Sequence, residues 1–184
     1  MTTVTRRRPA TVADLYRIDG KAELVGGRIV REPPTGFGPS RAATRITISL
    51  SHYERVVGGG VAVADNCAFL VELPNRQSFS PDAAWFTGPT TGMKFLEGAP
   101  DFAAEVRSEG DYGPAAERDM AAKRADYFSA GTLVVWDVDL VGSDTIRVYR
   151  ADQPDVPTIY RRGDVAEAEP AVPGWRMPVD ELFT

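Results

Sequence analysis

Phe102-Ala103-Ala104-Glu105-Val106, the segment Pro114 to Ala130, and Gly131 followed by Thr132-Leu133-Val134-Val135-Trp136-Asp137-Val138 read as strand, helix and strand. The first run is apolar apart from one acid, as a buried strand is. Proline is favoured in a first helical turn and glycine just past a helix end, so Pro114 and Gly131 bracket the helix. The last run is the most β-prone in the chain. Two strands joined through a helix run parallel in one sheet, so residues 101–138 predict a βαβ unit.

Working outward, the N-terminal side carries Ala22-Glu23-Leu24-Val25, Gly26-Gly27 and Arg28-Ile29-Val30-Arg31. Two short alternating runs joined by Gly-Gly predict a hairpin, because the tight turn needs positive φ at both central residues. Thr11 and Asp14 form an N-cap signal for a short helix to Ile18. From Ser40 to Val57, Ala42, Ile46, Leu50, Tyr53 and Val57 recur at helical spacing, and Gly58-Gly59-Gly60 ends the run. Strand-like runs at 61–64, 68–73 and 81–86 are expected to form a meander. On the C-terminal side, 144–150 and 158–161 read as strands, and 178–183 as a last helical turn. The fold class is α+β (α/β): a mixed β-sheet flanked by helices, with an N-terminal helix and β-hairpin. Residues 1–184 are read as one domain, with residues 1–9 a loose arm.

Composition narrows the chemistry. The chain has 184 residues, is 43% apolar and 26% charged, and carries a formal charge of −5, so it has no overall cationic field to attract nucleic acid. One cysteine, Cys67, excludes an internal disulfide; with one histidine, His52, zinc-finger and His-rich sites are excluded too. Any metal site must use oxygen ligands. No apolar run reaches membrane-spanning length and no signal-peptide pattern opens the chain, so no membrane association is expected and the location is read as cytoplasmic.

The candidate chemistry lies in Ser80-Pro81-Asp82, in Glu105, and in Asp119, Lys123 and Tyr127 at i, i+4 and i+8 on one helix face. Two carboxylates at neighbouring strand positions suit one hard cation, because Mg²⁺ takes a few carboxylates together with water and phosphate oxygens. Two plainer roles compete. A buried Glu105 needs a cation, and Lys123 alone would satisfy it; Asp119 and Lys123 also match an ordinary helix-surface ion pair.

Pro81-Asp82 followed by Glu105 resembles the PD-(D/E)XK nuclease superfamily. Further matches at residues 22–30, 100–108, 119–137 and 173–183 are similar to its Uma2 branch of restriction-endonuclease-like proteins. That resemblance implies a restriction-endonuclease-like core with Mg²⁺ or Mn²⁺ held by Asp82, Glu105 and the backbone carbonyl of Val106. It also implies that Lys123 replaces the lysine that usually sits two residues after the second acid, where this chain has Arg107. Glu23 matches an acid placed near the same site. The histidine usual near the start of the long helix has no counterpart in residues 37–43. The resemblance thus implies a Mg²⁺-dependent endonuclease acting on DNA as a homodimer. The competing reading is a catalytically weak or inactive homodimeric scaffold that keeps the fold.

Overall fold

In the computed structural model, which describes residues 8–183, Thr11 and Asp14 form a reciprocal capping box on α1 (Val12–Leu15). The helix stops short of Ile18 because the N–H groups of Arg17 and Ile18 bond three residues back and tighten the chain into turns. Of the expected arm, residues 1–7 lie outside the described residues. The hairpin forms as β1 (Ala22–Val25) and β2 (Arg28–Arg31), with Gly26 at φ 55° and Gly27 at φ 69°, the left-handed region that glycine enters without steric cost. α2 (Phe37–Val56) begins three residues before Ser40. Pro39 falls within its first turn, where a missing N–H has no intrahelical partner to lose.

After β3 (Val61–Ala64), β4 (Phe69–Leu70) and β5 (Ser78–Phe79) come β6 (Ala83–Phe86), β7 (Leu96–Glu97) and β8 (Phe102–Val106). The expected meander does not form. β3 pairs directly with β6, whereas β4, β5 and β7 make a separate three-stranded sheet. The reason is burial: Phe69 and Phe79 are fully buried in the cluster that covers one face of the main sheet, so the chain between β3 and β6 leaves that sheet to pack on it. α3 (Pro114–Ala130) then leads to β9 (Val134–Asp139), β10 (Thr145–Arg150) and β11 (Gln153–Arg161). The short pair β12 (Val165–Glu167) and β13 (Arg176–Pro178) and a 3₁₀ turn at Val179–Leu182 end the described chain.

The main sheet runs β11-β10-β9-β8-β6-β3. β8 and β9 are parallel, joined through α3 as the βαβ reading requires, and the other pairs are antiparallel. Alternation divides its side chains between two cores. Phe102, Ala104 and Val106 face α2 and the C-terminal segment with Trp136 and Trp175. Ala84, Ala103 and Val135 face α3 and the small sheet with Tyr127. At the β11 edge the pairing with β10 shifts register between Val148 and Arg150, so that residues 154–157, with Pro154 and Pro157 at their ends, fall outside the regular ladder. Among the described residues no helix is long and apolar enough to cross a membrane.

Candidate active site

Strand register brings the two carboxylates together. Ala83 pairs with Ala104 and Ala84 with Ala103; continuing by one residue sets Asp82 opposite Glu105, and the Asp82 N–H donates to the Ala104 carbonyl at 3.1 Å. Because Ala84 and Ala103 face α3, so do Asp82 and Glu105. From α3, Lys123 Nζ lies 2.9 Å from Glu105 Oε1 and 3.0 Å from Glu23 Oε1. The Tyr127 hydroxyl, one turn further, donates to Glu105 Oε1 at 2.7 Å. The Val106 N–H donates to Asp82 Oδ2 at 2.7 Å. Glu23, Asp82, Glu105 and Lys123 are therefore neighbours on one face of the sheet. Asp119 is not among them: it is exposed, and Lys123 turns inward to the glutamates instead of forming the helix-surface pair.

Several members of the cluster were not foreseen from the sequence. Lys21 Nζ contacts Asp82 Oδ1 at 2.5 Å, Asp65 Oδ1 at 2.9 Å and Glu32 Oε2 at 3.1 Å. Buried Glu23 accepts from Arg76 and from the Ser80 N–H at 2.9 Å, and Arg76 Nε reaches Asp126 at 2.9 Å. Lys21 had a readable signal. The two-residue Gly-Gly turn fixes the hairpin register, and one step beyond Ala22–Arg31 places Lys21 across from Glu32, an opposite-charge cross-strand pair.

Burial pushes the Glu105 carboxyl up to about 7; Lys123 and Lys21 pull it down while Asp82 and Glu23 push it further up. Burial opposes charge on the two lysines as well, but the surrounding carboxylates hold both ammonium groups above their ordinary value. Glu23 moves the other way: despite burial, Lys123 and Arg76 keep it below the usual carboxylate range. Burial and the neighbouring Glu105 raise the Tyr127 phenol well above its ordinary value, so it serves as a donor to that carboxylate.

Arg107, the residue just past β8, turns to Asp137, with Nε at 2.6 Å and Nη2 at 2.7 Å, and it also contacts Glu117. This two-pronged pair makes both Arg107 and Asp137 buried structural residues. His52 is exposed on α2. A cleft of about 200 Å³ runs along α2 beside Asp65 and Asp82, with Thr35, Ser40, Thr44 and Thr47 on its wall.

The donor set is chemically suited to a hard divalent cation. Asp82 and Glu105 offer only oxygens, and burial holds the Glu105 carboxyl at about 7 in spite of Lys123 and Lys21. Among the described residues, however, no three His, Cys, Asp or Glu side chains group closely enough to hold a metal by themselves; Lys21 and Lys123 stand among the carboxylates.

A family model, Uma2, described as "Putative restriction endonuclease", matches residues 11–180. Among solved structures, the chain is similar to the crystal structure of "a putative nuclease belonging to DUF820" from Anabaena variabilis, with 15% identity and a TM-score of 0.74 over 95% of this chain and 98% of that one. At that identity the likeness shows the fold alone, a mixed α+β core. No curated protein matches the chain.

Proposed function

Because the chain belongs to the Uma2 family, we propose that it is a Mg²⁺-dependent endonuclease that hydrolyses DNA phosphodiester bonds. The observation that carries this reading is the convergence of Asp82 and Glu105 on one face of the sheet with Lys123 against them. Asp82, Glu105 and the Val106 carbonyl would hold Mg²⁺ or Mn²⁺, which supplies Lewis-acid polarisation of the phosphoryl group and a more acidic water.

The chain's own groups set the rest. The Val106 N–H orients Asp82, and the Tyr127 hydroxyl orients Glu105. Lys123, anchored by buried Glu23, brings a fixed positive charge to the place where charge develops on the phosphoryl oxygens. Preorganised donors of this kind contribute about 10²–10³ in rate. The hydroxyl-lined cleft along α2 gives a strand backbone a path to Asp82. Two copies in a homodimer would present one site to each DNA strand.

The test is nicking of supercoiled plasmid in Mg²⁺ and in EDTA by wild type and Lys123→Met. Cleavage that needs Mg²⁺ and falls at least about 100-fold in the variant is expected. Folded wild-type protein that leaves plasmid intact in both Mg²⁺ and Mn²⁺ would instead support the scaffold reading, which the absence of a histidine in residues 37–43 favours.

A further inference from the structure

Lys21 has the geometry of a counter-ion. Its ammonium has three hydrogens and meets three carboxylate oxygens, on Asp82, Asp65 and Glu32, so no donor remains for a substrate phosphate. It covers Asp82 Oδ1 while the Val106 N–H covers Oδ2, which leaves Asp82 without an uncontacted oxygen. Lys21 also has somewhere to go. Asp65 and Glu32 lie on the rim, with side chains 47% and 32% exposed, and both can keep the ammonium after it leaves Asp82. Lys123 is held more deeply: its close partners Glu23 and Glu105 have side chains 5% and 19% exposed, Glu23 is tied to Arg76 as well, and the rim residue Glu32 lies 3.8 Å away.

We propose that Lys21 is a latch on the metal site: its ammonium clamps Asp82 in the metal-free protein and must withdraw to Asp65 and Glu32 before a divalent cation is held there. This rests on the metal-site reading above. An ammonium and a divalent cation repel at contact range and need the same carboxylate oxygen, so the two states exclude each other. Removing the latch therefore tightens metal binding, the opposite of what loss of a metal-site or substrate-binding residue does.

The experiment is a calorimetric titration of Mn²⁺ into wild type, Lys21→Met and Lys21→Arg. A Kd at least about tenfold lower for the methionine variant is expected, with the arginine variant remaining near wild type because it restores the cation. A second readout uses wild type alone. The chain has only three lysines, Lys21, Lys94 and Lys123, and acetic anhydride labelling read by mass spectrometry reports each of them. Exposed Lys94 serves as reference; Lys21 should gain reactivity at saturating Mn²⁺ while Lys123 does not. If Lys21→Met fails to fold, this labelling decides the matter. Equal Mn²⁺ affinity in wild type and a folded Lys21→Met, or Lys21 labelling unchanged by bound Mn²⁺, overturns the latch and leaves the metal site standing. No Mn²⁺ heat with any of the three proteins overturns the metal site and the latch together.

Discussion

Replacing Glu105 with glutamine is a perturbation whose sign is set by the neighbours of this carboxylate. Were Lys123 paired with Glu105 alone, the change would strand a buried ammonium and cost about 3–5 kcal/mol. Lys123 also contacts Glu23 at 3.0 Å, so it keeps a charged partner, and a glutamine oxygen can still accept from Tyr127. The ionised Glu105 is itself disfavoured: burial first, then Asp82 and Glu23, raise its carboxyl from an ordinary 4.5 to about 7. At about 1.4 kcal/mol for each pH unit, ionising this group costs the fold up to about 3 kcal/mol above pH 7. Because the folded state binds this proton more tightly than the unfolded one, stability falls as pH rises from 4.5 through 7. Glutamine resembles the protonated form and escapes that cost. In EDTA at pH 8, Glu105→Gln should therefore melt at or above wild type, by up to several degrees at about 2–4 °C per kcal/mol for a chain of this size. The same variant should lose the Mn²⁺-dependent rise in melting temperature. Calorimetric or dye-based melts from pH 4 to 8, with and without Mn²⁺, read both effects. A variant that melts well below wild type in EDTA would refute the reasoning and make Glu105 a structural counter-ion.

Three further outcomes are expected. Arg107→Lys should lower stability by about 2–3 kcal/mol in urea titrations, since lysine cannot reproduce the fork on Asp137; although it restores the superfamily's usual residue type, plasmid nicking should not rise, because Asp137 holds the side chain away. Asp139, whose burial is outweighed by donation from the Gly142 N–H and the Tyr112 and Ser143 hydroxyls, is held at about 2. Its contribution of about 2 kcal/mol is fully present above its ordinary 3.8 and is lost as pH falls through 2, and Asp139→Asn should flatten this part of the acid-unfolding curve. Light scattering at micromolar concentration should give twice the 20.0 kDa chain mass, and a monomer would count against the homodimer.

The legibility of the fold follows the range of the forces that set each element. Pro114 and Gly131 act on their own backbone, and the helix ends where they place it. The same holds for Gly26-Gly27 and the hairpin. By contrast β4, β5 and β7 are two residues long, too short to carry a period, and exist because Phe69 and Phe79 need a sheet face to cover. The start of α2 was hidden because its exposed first turn lacks the apolar spacing that marks the rest. At the site, Asp82, Glu105, Lys123 and Glu23 were visible through the resemblance. Lys21 and Glu32 could have been reached by extending the hairpin register by one residue. Asp65, Arg76 and Asp126 join through contacts spanning 44 to 53 residues, which no local pattern encodes.

The outer strand β11 bears on a matter separate from catalysis, namely how open the sheet is to another strand. A nine-residue strand at the rim of a sheet is a template on which another chain can add itself. Here residues 154–157 depart from the ladder, and neither Pro154 nor Pro157 has an N–H to offer, so the regular edge shrinks to the four residues Thr158–Arg161. A stretch that short gives an incoming strand little purchase. Protection of this rim thus rests in part on two imino acids, and replacing both with threonine restores two N–H donors to the open edge.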